Sequence, residues 1–156
     1  MARPDKPLSA YLDACCYIDW ATGKESVTHV ESWLLAARAG HVVLHASTLV
    51  LVEARGGPGT APNPAAAEKL LTLLSEPYIR LTDVTRRVAL LAREVTADHP
   101  RIKACDAVHM ATAAYAQAEV LLTRNTKHFT PGSVVRGVWV DEPYEYGGPN
   151  LFSGDD

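Results

Sequence analysis

Residues 103–129 read KACDAVHMATAAYAQAEVLLTRNTKHF, and the fold turns on how that stretch divides. Residues 105–118 are rich in alanine, the best helix former, and predict a helix. Residues 120–123, VLLT, form a short apolar run of the kind found in strands buried on both faces. NTKHF then reads as a turn. Asp106 opens the helix, where an acid usually serves as a cap. The strand that follows carries Asn125 back to the same end of a sheet. The stretch therefore raises the prospect of a polar group assembled at one sheet edge.

Outward from it, the chain keeps alternating. SAYLD (9–13) predicts a strand ending on a carboxylate, and ACCYIDWATG a helical turn that stops at Gly23. Val27 to Ala39 has apolar residues at a 3.6 period and ends at Gly40. HVVLH (41–45) suits a buried strand. Ser47 is expected to cap a helix, TLVLVEAR, that reaches Gly56-Gly57. GGPGTAPNP (56–64) is a loop full of breakers. Ala65 to Leu74 is helical, YIRLT (78–82) is a strand, and Asp83 or Thr85 starts a helix to about Ala97. GVWV (137–140) is the last strand. Short apolar strands alternating with helices predict an α/β fold with a parallel sheet covered on both faces. In such sheets ligands bind beyond the carboxyl ends of the strands, where Asp13 and Asn125 both fall.

Composition narrows the function. The chain has 156 residues, enough for one domain with a real core, and a net charge of −3. The apolar stretch 33–52 is interrupted by Arg38, His41 and His45, so no membrane span is expected. The N-terminus lacks the apolar core of a signal peptide. Three cysteines without a C-x-x-C point to reduced thiols and a cytoplasmic setting. The last 16 residues hold five acids and no Lys or Arg, which leaves 15 basic against 13 acidic groups in residues 1–140. A polyanion would have to meet a local patch and not a general field.

The carboxylates carry the chemistry. Glu53 shares a helix face with Leu49 and Val50, so it either snorkels outward or points into a site. Asp106 sits among Ala107, Val108, Met110 and Ala111. Should Asp13, Glu53 and Asp106 converge, repulsion would raise at least one pKa, and a hard divalent cation would relieve it. Carboxylate and amide oxygens suit Mg²⁺ or Mn²⁺. Each acid also has a plain reading: a turn residue at Asp13, an exposed helix residue at Glu53, an N-cap at Asp106.

Three pieces, YLDACCYIDW (11–20), STLVLVEARGG (47–57) and DAVHMATAAYAQAEVLLTRNTKHF (106–129), resemble the PIN-domain ribonucleases in order and separation. The most specific is the last, with its Asp-Ala helix start, alanine-rich helix, apolar strand and Thr-x-Asn. The resemblance implies a three-layer α/β/α PIN-like fold with a short central parallel sheet. Residues 1–140 would be the nuclease domain and residues 141–156 an acidic C-terminal tail, expected to be loosely held. It implies a metal-dependent endoribonuclease using Mg²⁺ or Mn²⁺, with Asp13, Glu53 and Asp106 as metal ligands. Asn125 takes the fourth position, where many members have Asp, and supplies a neutral oxygen. Thr123 would hydrogen-bond and shape the cluster. The compact size is most similar to VapC-type toxins. That likeness implies an RNA substrate, a homodimer, and a cognate antitoxin lying over the groove.

Other residues weigh less. His109 reads as a satisfied histidine at the core edge, Cys15, Cys16 and Cys105 as small buried hydrophobes, and Asp19 as facing solvent. Arg124, Lys127 and His128 border the site and could meet RNA phosphate. Trp20 and Trp33 read as core or dimer contacts, and GGPGT lacks the Lys-Ser/Thr of a phosphate loop. The acidic tail could restrain the basic margin of the site. The alternative function is a catalytically silent PIN-like module that binds RNA or a partner protein. A receiver domain would want an early acidic pair and a late lysine that YLDACC and LLTRN do not supply.

Overall fold

The structure, a computed structural model, describes residues 1–24, 27–54 and 63–148. Its elements run β1 (Ser9–Leu12), α1 (Ala14–Thr22), α2 (Val27–Arg38), β2 (Val43–Ser47), α3 (Val50–Glu53), α4 (Pro64–Leu74), β3 (Ile79–Thr82), α5 (Arg86–Asp98), α6 (Ala104–Tyr115), β4 (Val120–Leu122), β5 (Ser133–Val135) and β6 (Val138–Asp141). Among the described residues the sheet has the order β3-β2-β1-β4-β6-β5. All neighbours are parallel except β5 and β6. The expected α/β/α architecture with a central, mostly parallel sheet is what forms.

Strand alternation builds the three layers, because successive side chains point to opposite faces. Ala10, Leu12, Leu44, Val120 and Leu122 pack on one face with Cys16 and Tyr17 of α1, Trp33 of α2 and Leu70 of α4. Tyr11, Leu121 and Val140 pack on the other with Val88 and Val95 of α5 and Met110 of α6. Each large apolar side chain buried in this way contributes roughly 1.5–3 kcal/mol. The small residues Ala107, Ala111 and Ala113 are wholly buried, which lets α6 lie close on the sheet. Gln117 ends α6 in the left-handed region at φ 56. The Gln117 and Ala118 amides donate to the Ala114 and Ala113 carbonyls, the bonding of a Schellman cap.

Several expectations change. The segment after Asp13 is a full helix and not a single turn. Asp106 is not the N-cap of α6; Lys103 is, without a side-chain bond, and Asp106 lies in the first turn. The Ser47 hydroxyl accepts from Leu49 N–H but is not the N-cap of α3, which begins after Leu49. The helix expected over TLVLVEAR is short, α3 covering Val50–Glu53 with Ala54 as its C-cap, while Arg55 and most of the GGPGTAPNP loop lie outside the described residues. Strand β5 was not anticipated. Nor are residues 141–148 loosely held. Tyr146 is buried, and Trp33 stacks edge-to-face on Tyr144 and Tyr146 at 5.3 and 5.0 Å. The one hydrogen of Tyr146 Oη is shared between the carbonyls of Pro7 and His41, which precede β1 and β2. Tyr144 and Tyr146 thus lie at the sheet edge where strands begin, opposite Asp13, whereas Asp141 ends β6 at the carboxyl edge beside Leu122. No helix among the described residues is long and apolar enough to cross a membrane.

Candidate active site

The carboxyl ends of β1 and β4 are neighbours, with Leu12 in register with Leu122. The next residue on each chain turns into the site. Asp13 follows β1 and caps α1, its Oδ1 accepting from Ala14 N–H at 2.7 Å. The plain reading of Asp13 was a turn residue; it is instead the N-cap of α1. Thr123 follows β4, and its hydroxyl donates to Asp13 Oδ2 at 2.7 Å. Both residues are buried. A carboxylate buried to this degree needs such donors, since an unpaired buried charge is expensive.

Thr123 also governs Asn125, because its Oγ1 accepts from Asn125 N–H at 3.0 Å. Asn125 in turn donates from Nδ2 to Asp106 Oδ2 at 2.9 Å. The amide therefore presents a donor to Asp106, where the sequence suggested an oxygen ligand. His128 Nδ1 meets the same Asp106 oxygen and lies 3.0 Å from Asn125 Nδ2. Asp106 near the N-terminus of α6 also benefits from the helix dipole.

Glu53, at the end of α3, reaches this group through His109. His109 Nε2 lies 2.8 Å from Glu53 Oε2 and 3.5 Å from Asp13 Oδ1. Burial disfavours the charged imidazole, but the hydrogen bond to Glu53 and the charges of Asp13, Glu53 and Asp106 outweigh it and raise its pKa. His109 is indeed a buried, satisfied histidine, yet its partners are the site's carboxylates. His109 and His128 contact the candidate carboxylates, although sequence reasoning left both at the margin. The spacing Asp106-x-x-His109 was the available signal, since residues three apart share a helix face.

Asp19 and Arg124 correct the reading of the site's rim. Asp19 is buried, not solvent-facing. Arg124 grips it with Nε and Nη2, the latter at 2.8 Å. A two-pronged bond of this kind fixes geometry as well as charge. Arg124 is thereby committed to α1, while Lys103 and Lys127, close in sequence to Asp106 and His128, are exposed. The cysteines are free, and only Cys16 is fully buried. Cys15 contacts Asp13 Oδ2 at 3.6 Å, and Cys105 is exposed, against the expectation of three buried thiols.

The structure thus forms two linked groups, Asp13–His109–Glu53 and Asp106–Asn125–His128, with Thr123 between them. Among the described residues no three His, Cys, Asp or Glu side chains stand ready to hold one metal ion. The donor chemistry is nevertheless that of a hard cation, three carboxylates at one sheet edge. The bonds among the described residues leave Asp106 Oδ1 and Glu53 Oε1 unengaged.

A family model described as PIN domain matches residues 10–130. The chain is similar to one in a toxin-antitoxin complex from Klebsiella pneumoniae, with TM-score 0.62 and 24% identity, covering 87% of this chain and 98% of that one. It is similar to one in VapBC2 from Rickettsia felis bound to a DNA fragment from their promoter, with TM-score 0.62, 16% identity and coverage of 86% and 98%. A third likeness is to FitAcB from Neisseria gonorrhoeae, with TM-score 0.55, 23% identity and coverage of 86% and 97%. At these identities the likeness is one of fold. Comparison with curated proteins finds no match.

Proposed function

From the premise that this chain belongs to the PIN-domain family, we propose that the carboxyl edge of its sheet is a metal-dependent endoribonuclease site, and that the protein is the toxin of a toxin–antitoxin pair. The observation that carries the reading is the Thr123–Asn125 turn. It bonds Asp13 with a hydroxyl and Asp106 with an amide, so acids 93 positions apart in the chain share one edge. Asp13, Glu53 and Asp106 would hold Mg²⁺ or Mn²⁺. Such an ion supplies Lewis acidity at a phosphodiester and offsets the negative charge developing there. The chain's own residues set the stage for it. Thr123 holds Asp13, Asn125 and His128 hold Asp106, and His109 holds Glu53. Lys103 and Lys127, exposed and close in sequence to Asp106 and His128, would meet RNA phosphates. The toxin reading rests on solved complexes whose chains share this fold, and extends to a homodimer, an antitoxin partner and the cytoplasm.

The test is cleavage of total RNA with Mg²⁺, with Mn²⁺ or with chelator. Cleavage is expected with either ion, leaving 5′-phosphates, and is expected to vanish in chelator and in Asp106→Asn. Equal cleavage by wild type and Asp106→Asn would refute the reading. One observation favours a silent module that binds RNA or a partner without cutting it: the network already engages an oxygen of each of the three acids. Calorimetric titration with Mn²⁺ separates the two, since only the nuclease requires wild type to bind the ion and Asp13→Asn to lose it.

A further inference from the structure

We propose that His109 is a positioning residue for Glu53, and that a hydrogen-bond chain from the backbone of Ser47 through Tyr11 places the proton on its Nε2. What Glu53 then does rests on the nuclease reading; the chain itself rests on geometry.

The direction of the chain follows from its first donor. Ser47 N–H can only donate, and it donates to Tyr11 Oη at 3.0 Å. Tyr11 Oη lies 2.6 Å from His109 Nδ1, and no other acceptor among the described residues meets that hydroxyl. Tyr11 is wholly buried, so its O–H has no solvent to turn to. The phenol hydrogen therefore goes to Nδ1, and the neutral ring keeps its own hydrogen on Nε2. The opposite tautomer would aim a lone pair at Glu53 Oε2 and Asp13 Oδ1, 2.8 and 3.5 Å away, and strand the phenol hydrogen. The charged ring also has a hydrogen on Nε2, while its second hydrogen, on Nδ1, would donate to Tyr11 Oη and leave the phenol hydrogen without that acceptor. In each of these forms Nε2 is a donor to Glu53 and has no lone pair for a metal.

Glu53 needs such a partner. It ends a four-residue helix, its side chain is 28% exposed, and His109 is its one hydrogen-bond partner among the described residues. His109 is the reverse case, buried on α6 beside Met110 and Ala111, with its ring edge-on to Tyr11 at 5.9 Å. The two together pass the rigidity of the core to the least anchored acid of the site. Partners of ligands act in this way, and their loss typically costs about 10–100-fold in metal affinity.

Three variants test it: Tyr11→Phe, His109→Leu and His109→Gln. The glutamine carboxamide offers an acceptor and a donor, as the imidazole does. Long-range ¹H–¹⁵N spectra, taken where the ring is neutral, should show hydrogen on Nε2 in wild type and mixed tautomers in Tyr11→Phe. His109→Leu should lose about 10–100-fold in Mn²⁺ affinity by calorimetry, and His109→Gln should recover most of it. With RNA, kcat should fall in the leucine variant while KM holds. Thermal melts report folding in each case. A wild-type ring with its hydrogen on Nδ1, or equal Mn²⁺ affinity in folded Leu and Gln variants, overturns the proposal. If wild type neither binds Mn²⁺ nor cuts RNA, the nuclease reading falls, and the tautomer alone then decides the hydrogen-bond chain.

Discussion

Thr123→Val asks whether one hydroxyl at the end of β4 holds the site together. Valine has nearly the shape of threonine, so the substitution opens no cavity and isolates the hydrogen bonds. The hydroxyl donates to Asp13 Oδ2 at 2.7 Å and accepts from Asn125 N–H at 3.0 Å. A hydrogen bond to a charged group contributes roughly 1.5–3 kcal/mol net. Asn125 is only half-buried, so water can satisfy much of its amide, and the second bond adds at most about 1 kcal/mol. The expected loss is about 2–4 kcal/mol in urea unfolding. At this size each kcal/mol lowers Tm by roughly 2–4 °C, so the melt should fall by about 5–15 °C. Thr123→Ser is the control, since it keeps both bonds and loses one methyl group, worth about 1 kcal/mol. Valine should therefore be the less stable variant by a clear margin, and the weaker binder of Mn²⁺. A valine variant as stable as the serine variant would mean that Asp13 does not depend on this hydroxyl.

His109 makes stability pH-dependent in a definite sense. Burial opposes its charge, but Glu53, Asp13 and Asp106 prevail and raise its folded pKa above 6.5. Its contribution is complete below about 6.5 and disappears as pH rises through the folded value. Glu53→Gln should fold, cleave RNA poorly and flatten that decline in urea titrations across pH; a wild-type-minus-variant difference that is the same at every pH contradicts the assignment. Asn125→Asp places a second carboxylate against Asp106 and should cost about 1–2 kcal/mol in chelator, through like-charge repulsion. Mn²⁺ should restore more stability to this variant than to wild type, as melts with and without the ion will show. Truncation after Asp141 removes Tyr144 and Tyr146 from Trp33, and with them the carbonyl that accepts Trp33 Nε1. Stability should drop by about 3–5 kcal/mol, while cleavage per folded molecule stays unchanged, since these residues lie at the opposite edge. A selective loss of cleavage would bring the tail back into the site.

The elements legible in the sequence were those whose period matched their burial. β1, β4 and α6 were readable because VLL and SAYL are buried strands and residues 104–115 are alanine-rich. The edge shared by Asp13 and Asn125 followed from strand direction alone. β5 escaped because its hairpin loop is Arg136-Gly137, at φ 51 and 81. Two residues of positive φ make a tight hairpin turn, but Asn or Asp is usual at the first, and arginine concealed it. Asp19 was misjudged for a different reason. Local pattern places it on a short exposed turn, and its burial depends on a partner 105 residues away. The same holds for the tail, whose tyrosines find Trp33 only in three dimensions.

The site's precision comes from how many separate elements pin the segment after β4. Thr123 N–H donates to the Asp141 carbonyl of β6, which continues the ladder beyond Leu122. Arg124 is bound to Asp19 of α1. Arg101, just before α6, donates to the carbonyls of Thr126 and Lys127 at 3.4 and 3.0 Å. Phe129 is buried among residues of α5, α6 and β6. Between these anchors the segment has little freedom, so Asn125 and His128 arrive at Asp106 by construction and not by chance. Arg124, which the sequence offered to RNA phosphate, is spent on this bracing, as is Arg101. A small acidic protein can thus hold several acids at one edge because its nearby arginines fix the loop that carries their hydrogen-bond donors.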